Sequence, residues 1–71
     1  MNINQFFGNK ISLIRQEQGM SQEKLALDAN IDRTYISDIE KGKRNVSLEV
    51  AYKISKALNI HISELLSNYN G

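Results

Sequence analysis

The sequence predicts an all-α domain of five short helices. Three observations carry this expectation: apolar residues recur at three- and four-residue spacings, strong helix-capping residues stand at Ser21, Asp32 and Ser47, and proline is absent. Seventy-one residues make a single domain, residues 1–71, and a chain this short buries only about 60% of its unfolded surface, so the core must pack efficiently. No cysteine is present to supply a disulfide or a thiolate metal site. Helix packing and dimerisation are left to provide the stability, and a reducing, cytoplasmic setting fits.

The first helix is expected over about residues 4–18, with Phe7, Ile11 and Ile14 forming a core stripe and Gly19 ending it in a left-handed conformation. Phe6 and Leu13 begin a second stripe for the C-terminus to cover. Ser21 caps a second helix over 22–29, which turns Leu25, Ala26 and Ala29 inward. Only Asn30 and Ile31 separate it from Asp32, the cap of a third helix over 33–41 that Gly42 closes. So tight a turn forces a steep crossing. Ser47 opens a fourth helix over 48–58, whose inward stripe is Leu48, Ala51, Ile54 and Leu58, and Asn59 can take the left-handed position after it. A fifth helix covers about 62–67, and the turn-prone tail, 68–71, is expected to fray.

Charge is informative in its distribution. The net charge is only +1, yet Lys41, Lys43, Arg44, Lys53 and Lys56 cluster against a single acid, Glu49. Such a cluster either attracts phosphate or is the solvated face of ordinary helices. The third helix separates these alternatives. At 3.6 residues per turn, Ile36 and Ile39 face one way, while Thr34, Ser37, Asp38 and Lys41 face the other. A helix with a buried side and a short, hydrogen-bonding outer side suits the DNA major groove, which admits an α-helix and offers donors, acceptors and thymine methyls.

At these residues the chain resembles a known family. Met20-Ser21-Gln22-Glu23-Lys24-Leu25-Ala26, followed by Asp32 through Arg44, is similar to the Cro/repressor (XRE-type) helix-turn-helix, and the similarity extends over roughly Phe7 to Leu66. Within that family, Asp32 to Ser37 followed by Lys43 to Leu48 looks most like the controller proteins of restriction–modification systems. The resemblance implies a compact, lambda-repressor-like domain, with the second and third helices forming the motif. It further implies a homodimeric transcriptional regulator that binds a pseudo-palindromic operator in double-stranded DNA, with RNA polymerase as a candidate further partner.

Carried onto this sequence, the resemblance implies that Arg33, Thr34, Ser37 and Asp38 reach base edges. It assigns Gln22, Lys41, Lys43, Arg44, Asn45 and Ser47 to the DNA backbone, with Tyr35 packing its ring while its hydroxyl reaches a phosphate. For Asp38 the alternatives are water-mediated readout, steering against wrong bases, or an internal partner such as Arg33. Arg15 and Glu40 are implied to form a structural ion pair. Dimerisation is implied through the C-terminal region, with Tyr52, Ile62, Leu66 and Tyr69 as its candidates; intramolecular packing is the alternative, more for Leu65 and Leu66 than for Ile62. Two positions depart from the family pattern: Asn30 stands where glycine is usual, and His61 replaces the hydroxyl cap that would pair with Glu64.

Other function classes find little support. His61 is the sole histidine, no cysteine accompanies it, and no Gly-rich phosphate loop is present. Neither catalytic residues nor a metal or other cofactor are expected. No stretch approaches the roughly 20 apolar residues of a membrane span, so a soluble, unprocessed protein is expected, and no effector domain for a small molecule is evident. The competing class is a protein-interaction module, such as an antitoxin or a repressor partner on the same fold. Such a hot spot would centre on aromatic anchors, and Tyr35 is the one aromatic near the outer face of the third helix.

Overall fold

The computed structural model describes residues 1–70. Four α-helices, α1 (Ile3–Glu17), α2 (Gln22–Ala29), α3 (Arg33–Glu40) and α4 (Leu48–Ala57), are followed by a 3₁₀ segment, Ile62–Leu66. Each α-helix opens on a side-chain cap. Asn2 accepts from the Gln5 amide at 2.8 Å while the Gln5 side chain accepts in return from the Asn2 amide at 3.4 Å, a capping box that starts α1 one residue earlier than expected. Ser21, Asp32 and Ser47 accept from the amides of Lys24, Thr34 and Val50 at 3.0, 2.8 and 3.1 Å.

The turn between α2 and α3 depends on Asn30, at φ 57° and ψ 48°. Asparagine enters the left-handed region more readily than most residues with a side chain, and the Ile31 amide then donates to the Ala26 carbonyl at 2.9 Å. Asn59 ends α4 in the same way at φ 58°, and Gly19 follows α1 at φ 68°. The core gathers Phe7 and Ile11 from α1, Leu25 and Ala26 from α2, Ile36 and Ile39 from α3, Ala51 and Ile54 from α4, Leu58 just past its end, and Leu65 from the 3₁₀ segment. Gln18 adds a polar clasp, donating from its side chain to the Leu58 carbonyl at 2.7 Å.

Four expectations are corrected. Leu48, placed on the inward stripe of α4, is 84% exposed, because it lies in the first turn, before the helix reaches the core at Ala51. The fifth element is a 3₁₀ segment and not an α-helix: His61 contributes no side-chain cap, and the Glu64 amide bonds three residues back to the His61 carbonyl at 3.0 Å. Leu66 is exposed while Ile62 is half-buried against the core, the reverse of the expected ordering; Leu65 is fully buried. In the tail, the Tyr69 ring packs tilted against Phe6 with centroids 5.1 Å apart, but Leu13, the other residue of the expected second stripe, is left 56% exposed. Gly71 lies outside the described residues.

Gly8 determines how closely α1 and α3 approach. A Cβ built there would overlap the Ile39 carbonyl oxygen and stand 3.0 Å from that of Glu40. These are backbone atoms and cannot rotate aside. Gly8→Ala is therefore expected to lower stability by about 1–3 kcal/mol, despite a helix-propensity gain of nearly 1 kcal/mol. Thermal unfolding checks this, and a melting temperature at or above wild type would contradict the close approach.

Candidate nucleic-acid interface

The interface is built on α3. Ile36 and Ile39 are 0% and 1% exposed, which fixes the roll of the helix against α1 and α2. Arg33 and Thr34 are exposed in its first turn, Ser37 and Asp38 are half-buried along one side, and Lys41 is exposed just past its end. Arg33 is unfavourably placed for a cation, since the N-terminal end of a helix is the positive end of its dipole. Among the described residues no carboxylate pairs with Arg33, Lys41 or Lys43. Their charges are not used by the fold.

The loop after α3 returns alongside the helix. The Lys43 amide donates to the Asp38 carbonyl at 3.0 Å, and the Arg44 guanidinium lies 5.0 Å from the centroid of the Tyr35 ring. Arg44 Nε also donates to Asp38 Oδ2 at 3.4 Å. The internal partner of Asp38 is thus Arg44, not Arg33. Asn45 accepts from Asn4 Nδ2 at 2.8 Å, which ties the loop to the start of α1. That tie joins positions 41 apart, and no local sequence signal marks Asn4 for it. The Ser47 hydroxyl is engaged as the cap of α4.

Beneath the interface, Glu40 joins three elements. Its Oε2 accepts from Arg15 Nε at 2.8 Å, and its Oε1 accepts from Arg15 Nη2 and from Gln22 Nε2, both at 3.0 Å. Arg15 Nη1 donates to the Met20 carbonyl at 2.8 Å. Gln22, implied to bind phosphate, therefore commits one amide hydrogen to Glu40. Its second amide hydrogen and its backbone N–H, in the first turn of α2, face no partner among the described residues.

Residues 11–65 match the helix-turn-helix family. The chain belongs to that family. It is 54% identical over 66 residues to Control protein C.BamHI of Bacillus amyloliquefaciens, covering 92% of this chain and 82% of that one. It is 52% identical over 63 residues to Control protein C.MunI of a Mycoplasma species, covering 87% and 85%. Among solved structures, the restriction-modification controller protein C.AhdI from Aeromonas hydrophila superposes with a TM-score of 0.86 at 40% identity, over 87% of this chain and 94% of its own.

In this helix-turn-helix, α2 and α3 are the motif itself, and the bidentate Arg15–Glu40 pair with the Gln22 amide braces both against α1. The side chains of Arg15 and Glu40 are 12% and 7% exposed, so removing one partner strands a nearly buried charge. Glu49, at 80% exposed and 3.9 Å from Lys53, is a contrasting surface ion pair. We expect Glu40→Ala to cost about 2–4 kcal/mol and Glu49→Ala less than about 0.5 kcal/mol, as read by chemical denaturation. Equal losses would remove the structural role of Glu40.

Proposed function

We propose that this helix-turn-helix protein is a homodimeric, sequence-specific transcriptional regulator that reads a pseudo-palindromic operator with α3 in the major groove. The carrying observation is the division of α3 between two wholly buried isoleucines and an outer side of short polar groups flanked by uncommitted cations. Eight residues at 1.5 Å each span about 12 Å, the width of the major groove. Arg33 reads a guanine through O6 and N7, with Thr34 and Ser37 beside it on neighbouring base edges. Tyr35, Lys41, Lys43, Arg44 and Asn45 bind the sugar–phosphate backbone, and Gln22 and the Ser47 turn add contacts on either side. Such contacts set register and carry no sequence information. The similarity to control proteins supports a narrower assignment, control of restriction–modification genes, with RNA polymerase as the machinery acted upon and the cytoplasm as the setting.

Each copy carries one α3, and successive half-sites on one face of the duplex lie ~34 Å apart. A second copy must therefore cover the other half. Leu48, Tyr52 and Leu66 are 84%, 54% and 43% exposed; Leu48 and Leu66 line one shallow groove with Ile3, and Tyr52 follows Leu48 by one helical turn. This apolar face is the dimer interface of the proposal. Ile62 and Tyr69 are half-buried within their own chain and add less area to it.

Two outcomes are expected. In a salt series on duplexes selected from a random library, Arg33→Ala loses about 1–3 kcal/mol of preference for the selected sequence. Lys43→Ala weakens selected and random duplexes alike and lowers the slope of log affinity against log salt by about 0.9. A wild type without any preference would instead favour a protein partner for α3. Separately, Leu48→Glu, whose new charge suits the first turn of α4, should sediment as a folded monomer and lose at least about tenfold in affinity for the palindrome. An unchanged dimer would displace the interface from this face.

A further inference from the structure

A carboxylate on the side of a helix that enters a DNA groove is repelled by the phosphates on both walls. Asp38 is in that position, yet its side chain is only 26% exposed and its Oδ2 accepts from Arg44 Nε at 3.4 Å. The same guanidinium lies over the Tyr35 ring at 5.0 Å, within cation–π range. Arg44 is thus held on two sides, its face by an aromatic ring and its Nε edge by a carboxylate. Its terminal nitrogens Nη1 and Nη2 make no hydrogen bond among the described residues, and its side chain is 53% exposed. A guanidinium so placed offers its outer edge as a two-pronged donor, the geometry that matches a phosphate.

We propose that Asp38 and Tyr35 are positioning residues that preset Arg44 for a DNA phosphate, and that Asp38 does not itself read a base. The proposal rests on the DNA-binding assignment of α3 and replaces the base-reading role that the resemblance implied for Asp38. Two elements share the work: Asp38 and Tyr35 stand on α3, and Arg44 on the loop that follows, so the register of the loop against the duplex is tied to the register of the helix in the groove. A single exposed ion pair restrains little. The ring beneath the guanidinium supplies the second restraint, and ordering one long side chain before binding is worth roughly three- to tenfold in affinity. Pairing with Arg44 also neutralises the carboxylate at the point where it nears the phosphates.

A double-mutant cycle tests this, using the tightest duplex selected from a random library and a random duplex of equal length. Asp38→Ala is measured in the wild-type and Arg44→Ala backgrounds. The gain from deleting a negative charge is larger where Arg44 no longer screens it, so the coupling is read at the highest salt that still allows binding, where repulsion by the phosphates is itself screened. Asp38→Ala is expected to be roughly three- to tenfold more damaging when Arg44 is present, and Tyr35→Leu to show coupling of the same sign. Arg44→Lys should recover the salt slope without the coupling, because an ammonium group has no planar face or fixed Nε edge. An equal effect of Asp38→Ala in both backgrounds would overturn the proposal. So would a changed base preference at one operator position when Asp38→Ala is made without Arg44, which would mark a base reader. A wild type that prefers no duplex defeats the regulator assignment itself, and is told apart from selective binding without coupling.

Discussion

Glu40 is the residue on which the geometry of the motif depends. The last turn of α3 has to be held while its outer side stays free, and one carboxylate does this by accepting from Arg15 on α1 and Gln22 on α2 together. Apolar packing at Ile36 and Ile39 fixes the roll of α3, but isoleucines can slide along a core. A bidentate ion pair cannot slide without breaking, because its two bonds specify direction as well as distance. Gly8 permits this arrangement by letting the α3 backbone come against α1. Its missing side chain and the Arg15–Glu40 pair on the same two helices are two parts of one contact.

Much of this was legible in the sequence because it is local. A cap acts within three residues, so Ser21, Asp32 and Ser47 declared their helices, and Asn30 and Asn59 declared left-handed ends. The periodicity of α3 was equally plain, since a short amphipathic helix leaves no doubt which side is buried. What failed was whatever required knowing the partner. Spacing placed Leu48 in phase with Ala51 and Ile54, but phase does not say where a neighbouring element stops, and Leu48 is left uncovered although Val50 in the same turn packs against the core. His61 hinted at a weak fifth helix; that burying Leu65 would suffice in a 3₁₀ turn is a matter of tertiary packing.

The site shows the same division. Arg33, Thr34 and Lys41 were readable as an exposed polar side, and the structure leaves them exposed. Asn4 holding Asn45 and Arg44 reaching back to Asp38 were not readable, because each pairing joins a helix to an irregular loop whose path no periodicity encodes. The residues that hold the loop and the residues available to a ligand are therefore partly the same. Asn45 and Ser47 spend acceptors inside the fold, whereas Arg44 spends one edge and keeps another.

The three tyrosines, in a chain without tryptophan, stand at three separate places: Tyr35 beneath Arg44, Tyr52 on the exposed apolar face of α4, and Tyr69 against Phe6. Each ring meets a different environment, a cation, solvent and another ring. The molecule consequently carries its own set of spectroscopic labels. Ring-proton shifts or ultraviolet difference signals from these side chains would separate rearrangement of the loop, burial of the apolar face and release of the tail, with no dye attached and no residue changed.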